Sequence, residues 1–350
     1  MTTKPRVLLV LDGVAESTRV ESQTTLGAGH APFLNKLTRS LKVGLFDPHD
    51  RLRGKVSTDI IVGTLAGVRL DPWPGRAWLE AAALGISDHI SYAAIIRPCD
   101  GSGERLGLRP DAIEALNNLQ FPGVRFLQRQ HERTACSWLL MVLDDFGDTH
   151  IRDTVEAIVR IATGLHQETV QMIPADVFTK SLMPSMSCRL RSAVLAHARG
   201  SLLGICRAGG IHGLDGRGSP LDMGLHATLF SEIRQLLTDS NYRNYILYIK
   251  ALDWASHAGV RALKADWLRF IDKELVSFLF EHRSAMHITL VSDHRTNIGS
   301  SHAENDTSIF ATTGGIGDDC PFVESEIENV WRACPLSLED LSWVAFPPER

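Results

Sequence analysis

Three apolar runs in this 350-residue chain lead into side chains that bind cations. Residues 7–11 end at Asp12, residues 245–249 run towards Asp253 and His257, and residues 287–291 lead into Asp293 and His294. His302 follows eight residues after His294. Together these are three carboxylates and three imidazoles, a mixed oxygen and nitrogen donor set. Such a set suits Mn²⁺ or Zn²⁺, with Mg²⁺ a further candidate. Six donors exceed what one tetrahedral ion takes, which points to two divalent ions. Paired cations clamp the attacking and leaving oxygens in phosphoryl transfer. Each piece is common alone: an Asp-x-x-x-His spacing, or an Asp-His pair at a strand end, more often caps an element or satisfies a polar group. Their recurrence at successive strand ends is the signal.

A nucleophile candidate lies in Val56-Ser57-Thr58-Asp59, just before an apolar segment that reaches Gly67. That pattern reads as a helix N-terminus. Backbone N–H groups and the helix dipole favour phosphate there, and a neighbouring cation would lower the pKa of the Thr58 hydroxyl. The competing reading is that Ser57 or Thr58 is an N-cap, and the local sequence alone favours it. Guanidinium groups pair bidentately with phosphate or carboxylate. Arg76, Arg97 and Arg133 are therefore substrate-binding candidates, with surface arginines as the equal alternative. Lys264 is expected either to orient substrate or to pair with a carboxylate. The GLDGRG stretch at 213–218 lacks P-loop spacing and lysine and reads as a connecting loop.

These side chains need rigid elements behind them. A continuous apolar run such as 7–11 suits a strand buried on both faces of a parallel sheet. In open parallel sheets, ligands sit beyond the carboxyl ends of the strands. Further strands are expected at 93–96, 137–143, 202–206, 245–249 and 287–291. Helices are expected at 33–41, from 58 onward, and at 78–84, 153–165, 230–237 and 266–280. The order is strand, helices, a long middle region, then strand, helix, strand. It predicts an α/β core built from 1–90 and 216–350, interrupted by an inserted domain at 91–215.

Composition narrows the function. The chain is 44% hydrophobic and 22% charged, ordinary values for a globular protein. At about 150 residues per domain its length implies roughly two domains. Lys and Arg number 36 against 41 Asp and Glu, a net charge of −5, which argues against a nucleic-acid partner. Six cysteines, none in a Cys-x-x-Cys pair, argue against a disulfide framework or a cysteine zinc site. The apolar run at 7–11 is too short for a signal segment or a membrane span. A soluble, cytoplasmic protein with no membrane partner is expected. The oligomeric state is not legible.

Taken in order, several stretches resemble one family. They are LVLDG at 9–13, APFLNKL at 31–37, Thr58-Asp59 with Gly67, GRAWLEA at 75–81 and KALDWASHAG at 250–259. Lys264 and Asp272 come next, then Val291-Ser292-Asp293-His294 and Ser301-His302. With these, the chain resembles the cofactor-independent phosphoglycerate mutases, especially their archaeal-type branch, within the alkaline phosphatase superfamily of metalloenzymes. The likeness covers both ends of the chain.

The resemblance implies an alkaline-phosphatase-like core with a mainly parallel central sheet flanked by helices, plus a smaller inserted α/β cap. It implies one ion held by Asp12, Thr58, Asp293 and His294, and another held by Asp253, His257 and His302. Thr58 falls where the family's phosphorylated serine stands, a place that threonine fills in some phosphodiesterases and phosphonate hydrolases of the wider superfamily. Arg97 and Arg133 lie in stretches loosely similar to the family's arginine motifs. The chain departs from the pattern where Ala303-Glu304-Asn305-Asp306 replaces a proline-containing segment and where the middle region is shorter. Those departures bear on the substrate more than on the metal chemistry. The implied activity is phosphoryl transfer through a covalent phospho-threonine, as an isomerase-type mutase or a transferase, on a small phosphorylated or phosphonate metabolite. The alternatives are a phosphohydrolase or phosphodiesterase of the same superfamily, and a catalytically silent binding relative.

Overall fold

A computed structural model describes residues 4–21, 23–48, 58–87, 90–100, 124–130, 137–143, 170–179, 184–190, 192–198, 200–215, 221–239, 242–300, 307–313, 317–331 and 334–347. In chain order the strands are β1 (Arg6–Leu11), β2 (Lys42–Asp47), β3 (Val68–Asp71), β4 (Tyr92–Asp100), β5 (Val124–Gln130), β6 (Ser137–Leu143), β7 (Val170–Thr179), β8 (Ser185–Cys188), β9 (Ala193–Ala198), β10 (His212–Asp215), β11 (Asn244–Ile249), β12 (His287–Val291), β13 (Ser308–Thr312) and β14 (Leu336–Ser337). The chain divides into two compact units, one of 1–69, 188–199 and 209–350, the other of 70–187 and 200–208.

The first unit holds an eight-stranded sheet in the order β10-β9-β11-β1-β12-β13-β2-β14. From β10 to β12 all neighbours are parallel, and β13 runs antiparallel to both β12 and β2. This is the expected α/β core with a mainly parallel sheet. The apolar run of β1 explains its central place: residues 7–11 are at most 1% exposed. Val7, Leu9 and Leu11 share one core cluster with side chains of the helices Pro32–Thr38, Met223–Asp239 and Arg261–Ile271. Leu8 and Val10 point to the opposite face and are equally buried. The helix Leu338–Ala345 packs against β1, β2, β12 and the helix Thr58–Leu65. Among the described residues, no helix is long and apolar enough to cross a membrane.

Register decides where the strands end relative to one another. Leu11 of β1 pairs with Ile249 of β11, and Val10 pairs with Val291 of β12. The carboxyl ends of three adjacent parallel strands are therefore level.

The expected helix over 266–280 is divided into Arg261–Ile271, a π-helical turn Asp272–Val276 and Ser277–Glu281. Asp272 is buried there because its two carboxylate oxygens accept from the amides of Leu34 and Phe33. It thereby satisfies otherwise orphaned N–H groups at the start of the helix Pro32–Thr38.

In the second unit, four antiparallel strands lie in the order β5-β6-β4-β7. The strands expected at 93–96 and 137–143 are β4 and β6. The strand expected at 202–206 is instead the helix Ser201–Gly209. A five-residue apolar run fits a strand or a buried helix equally well. Packing decides here, because a Cβ on Gly204 would lie 2.0 Å from the Leu79 carbonyl oxygen. Glycine allows this helix to press directly on the backbone of the helix Gly75–Ala83. Residues 213–215, read as part of a loop, belong to β10. The helix expected at 153–165 lies outside the described residues.

Candidate metal centre

The level ends of β1, β11 and β12 bring the residues beyond them together. Asp12 directly follows β1. Asp253 and His257 lie four residues apart on the helix Ala251–His257, which begins two residues after β11. That spacing puts both side chains on one helix face. Asp293 and His294 follow β12 across Ser292. Ligand atoms of Asp12, Asp253 and His294 lie within 4.8 Å of one another. The three carboxylates are at most 1% exposed and His294 is 4% exposed.

The turn after β1 depends on Gly13, whose φ of +63° is left-handed. A Cβ there would lie 2.7 Å from Thr296 Oγ1 and 3.0 Å from Asp253 Cα. The Gly13 amide donates to Asp293 Oδ1 at 3.1 Å, and the His294 amide donates to the same oxygen at 3.0 Å. Among the described residues, Asp293 Oδ2 receives no hydrogen bond. Asp12 shows the same asymmetry. Tyr248 donates its hydroxyl hydrogen to Asp12 Oδ2, and the Lys250 ammonium lies 3.8 Å from that oxygen. Asp12 Oδ1 has no well-directed hydrogen bond among the described residues and faces His294 Nε2 at 3.0 Å. His294 Nε2 is also 3.5 Å from Asp293 Oδ2.

His257 carries a related signature. Its Nδ1 contacts the Ser300 carbonyl oxygen, which only accepts, so Nδ1 holds a hydrogen. In the neutral ring Nε2 then bears a lone pair, 3.0 Å from Asp253 Oδ1. Two acceptors at that distance need a proton or a cation between them.

Electrostatics agree with the geometry. Burial raises the Asp293 carboxyl to about 7, and the Asp12 carboxylate adds to the rise. For His294, burial disfavours the charged ring, yet Asp293 and Asp12 outweigh it and raise the group to about 10. Burial, and then the Asp12 and Asp293 charges, push Tyr248 well above its ordinary value, which keeps it a proton donor. Buried, crowded carboxylates with orphaned oxygens and imidazole nitrogens aimed at them fit a divalent cation.

No family model matches this sequence, and no curated protein matches it. Solved structures do match. The PH0037 protein from Pyrococcus horikoshii is 16% identical with a TM-score of 0.73, covering 100% of this chain and 99% of that one. A cofactor-independent phosphoglycerate mutase from Thermoplasma acidophilum DSM 1728 is 15% identical with a TM-score of 0.57, covering 97% of this chain and 98% of that one. The chain shares their fold. At such identities the likeness is one of architecture, and the argument about chemistry rests on the side chains.

Of the residues singled out from sequence, Asp12, Asp253, His257, Asp293 and His294 converge. Thr58 is the first residue of the helix Thr58–Leu65, in the same unit, and is partly exposed. His302 and Arg133 lie outside the described residues, and of Arg97 only its backbone place in β4 is described. Arg76 is in the second unit, on the helix Gly75–Ala83, 3.5 Å from Glu80. Lys264 takes the second of its two expected roles. It is fully buried and its ammonium lies 2.9 Å from Glu16.

Sequence reasoning passes over Tyr248, Lys250 and Thr296. Tyr248 is the polar tip of an otherwise apolar strand end, and a buried phenol must find a partner. Lys250 adjoins β11 as Asp12 adjoins β1. Thr296 lies two positions after His294. Each signal is visible once strand ends are scanned for every polar residue, not for ligand types alone.

Proposed function

We propose that this chain is a metal-dependent phosphoryl-transfer enzyme acting on a small phosphorylated or phosphonate metabolite. The observation that carries this reading is the convergence of Asp12, Asp253 and His294, with Asp293 beside His294, beyond level strand ends, where no described residue donates to Asp12 Oδ1 or Asp293 Oδ2 through a well-directed hydrogen bond. Asp12, Asp293 and His294 would hold one divalent ion. Asp253 and His257, joined by His302, would hold a second. Bound there, the ions would lower the pKa of the attacking hydroxyl and neutralise charge on the phosphoryl oxygens.

The protein's own groups supply the rest. Thr58, at the first turn of its helix, presents its hydroxyl for attack, and the helix dipole favours the incoming anion. The Thr58 Oγ–P bond forms as the bond from phosphorus to the substrate oxygen breaks, and that oxygen leaves with a proton. The phosphoryl group then passes to a second hydroxyl or to water, which restores Thr58. Lys250, a quarter exposed at the edge of the carboxylate cluster, adds a fixed positive charge where an anion would approach.

The test is a screen of phosphomonoesters, phosphodiesters, nucleotidyl compounds and phosphonates with Mn²⁺ or Zn²⁺, with mass spectrometry of the Thr58 peptide. Phosphate on Thr58 and transfer to an added alcohol are expected. Thr58→Ala should abolish turnover while lowering stability by about 1 kcal/mol or less, the scale of a lost helix-start hydroxyl. Near-wild-type turnover in that variant removes Thr58 from the mechanism.

A further inference from the structure

We propose that Thr296 is a positioning residue that sets the tautomer of His294 and ties it to Asp253, an inference that rests on the metal-dependent reading of the site. Thr296 is fully buried. Its Oγ1 lies 3.1 Å from Asp253 Oδ1 and 3.0 Å from His294 Nδ1. A threonine hydroxyl has one hydrogen to give, and an ionised carboxylate can only accept. The hydroxyl therefore donates to Asp253. Its oxygen then accepts from His294, which places the hydrogen of the neutral imidazole on Nδ1. The lone pair is left on Nε2, the nitrogen that faces Asp12 Oδ1 at 3.0 Å and Asp293 Oδ2 at 3.5 Å. A ring that coordinates through Nε2 needs this tautomer, and the partner of the other nitrogen fixes it.

Thr296 is itself held still. Its amide donates to the Ala15 carbonyl at 2.9 Å, and its carbonyl accepts from Lys264 Nζ at 3.2 Å. Its β-branched side chain has few rotamers. Gly13 leaves the room that the hydroxyl occupies, since a Cβ at that position would stand 2.7 Å from Oγ1. The buried Lys264–Glu16 pair thus reaches the cation site through one carbonyl group. The Thr296 hydroxyl joins donors from two separate segments, the helix after β11 and the loop after β12. Its loss removes one hydrogen bond from Asp253 and one from His294.

The test uses the full chain and Zn²⁺ as the probe. Thr296→Val keeps the shape and removes the hydroxyl, and Thr296→Ser keeps the hydroxyl. Titration calorimetry is expected to show Thr296→Val binding Zn²⁺ about 10–100-fold more weakly than wild type, the usual effect of losing a partner behind a metal ligand. Thr296→Ser should restore binding. A merely structural role would not distinguish the two in this way. Nitrogen-15 NMR of the Zn²⁺-loaded wild type should show His294 protonated at Nδ1 and coordinated at Nε2, and this readout needs no variant to fold. The opposite tautomer overturns the proposal. Equal Zn²⁺ affinity in wild type and Thr296→Val also overturns it and leaves the metal reading intact. A wild type that binds neither Zn²⁺ nor Mn²⁺ overturns both.

Discussion

Two buried charged clusters lie close together in the first unit, and they are finished to different degrees. Around Glu16 every carboxylate oxygen is answered. Glu16 Oε1 accepts from Thr25 at 2.5 Å and from Lys264 at 2.9 Å, while Oε2 accepts from the Thr25 amide at 3.0 Å and from Arg261 at 3.2 Å. Glu324 accepts from the Glu16 amide and from Thr24, and Glu328 accepts from Arg295 and Thr18. Burial pushes the Glu16 carboxyl up, but Lys264 and Thr25 outweigh it and hold the group below its ordinary value. Burial lowers Lys264 against the pull of Glu16. The close approach and the donors on both sides make this an ion pair. Around Asp12 the balance differs. Asp12, Asp253 and Asp293 crowd together, and among the described residues one oxygen each of Asp12 and Asp293 has no donor. Buried polar groups are ordinarily satisfied. Among the described residues one cluster is fully paired, and the other keeps buried oxygens that a cation would fit.

That contrast can be broken directly. Lys264→Met removes the internal cation of the finished cluster and leaves Glu16 buried without its charge partner. A loss of about 3–5 kcal/mol in urea unfolding is expected. A loss under about 1 kcal/mol would mean that the pair is not what holds this region together. The same operation on the unfinished cluster should behave differently. Asp293→Asn keeps an oxygen for the Gly13 and His294 amides and removes surplus negative charge. The metal-free variant should be as stable as wild type or more so. Zn²⁺ at about 100 times the dissociation constant of the Asp293 site should stabilise wild type by about 2.7 kcal/mol through that site, and that contribution should vanish in Asp293→Asn. Urea unfolding with and without Zn²⁺ measures both. If metal-free Asp293→Asn falls as far as Lys264→Met, the two clusters are alike after all.

The same contrast explains what the sequence can reveal. The unfinished cluster is readable because its members, Asp12, Asp253, His257, Asp293 and His294, stand at or just beyond apolar runs, and strand ends in a parallel sheet have a known meaning. The finished cluster is not readable. Glu16 and Arg295 stand in loop segments and Glu324 at a helix start, and their partners are set by tertiary contacts up to 310 residues apart, as between Thr18 and Glu328. Lys264 illustrates the limit: its spacing after His257 places it one helix on, while only packing decides that it faces Glu16. The core strands β1, β11 and β12 are legible as long apolar runs. The helix Ser201–Gly209 reads as a strand because five apolar residues carry no period, and only the Leu79 backbone against Gly204 chooses between them. Edge strands such as β10 and β14 are too short, at 4 and 2 residues, to announce themselves.

A remaining expected effect is the pH dependence that the unfinished cluster imposes on the metal-free protein. Asp293 titrates near 7 in the folded chain, because burial and then Asp12 disfavour its charge. In the unfolded chain it titrates near its ordinary value of about 4. Between these two values the native state keeps a proton that the unfolded state has released, so stability falls as pH rises. Above the folded value both states are ionised and the loss is complete. His294 acts with the same sign at higher pH. Its folded value is about 10, so the stability it contributes is fully present below about 6.5 and is lost as pH rises through the folded value. Comparing metal-free wild type with Asp293→Asn at matched pH cancels groups unaffected by the substitution. The difference in urea midpoint should move steadily in favour of the variant from about pH 5 to about pH 7, then level off as the folded Asp293 ionises. Zn²⁺ displaces the same protons, so its affinity for wild type should rise over that interval. A difference that stays flat, or that favours wild type as pH rises, would mean that Asp293 is not crowded by Asp12 and that the cluster has no charge for a cation to answer.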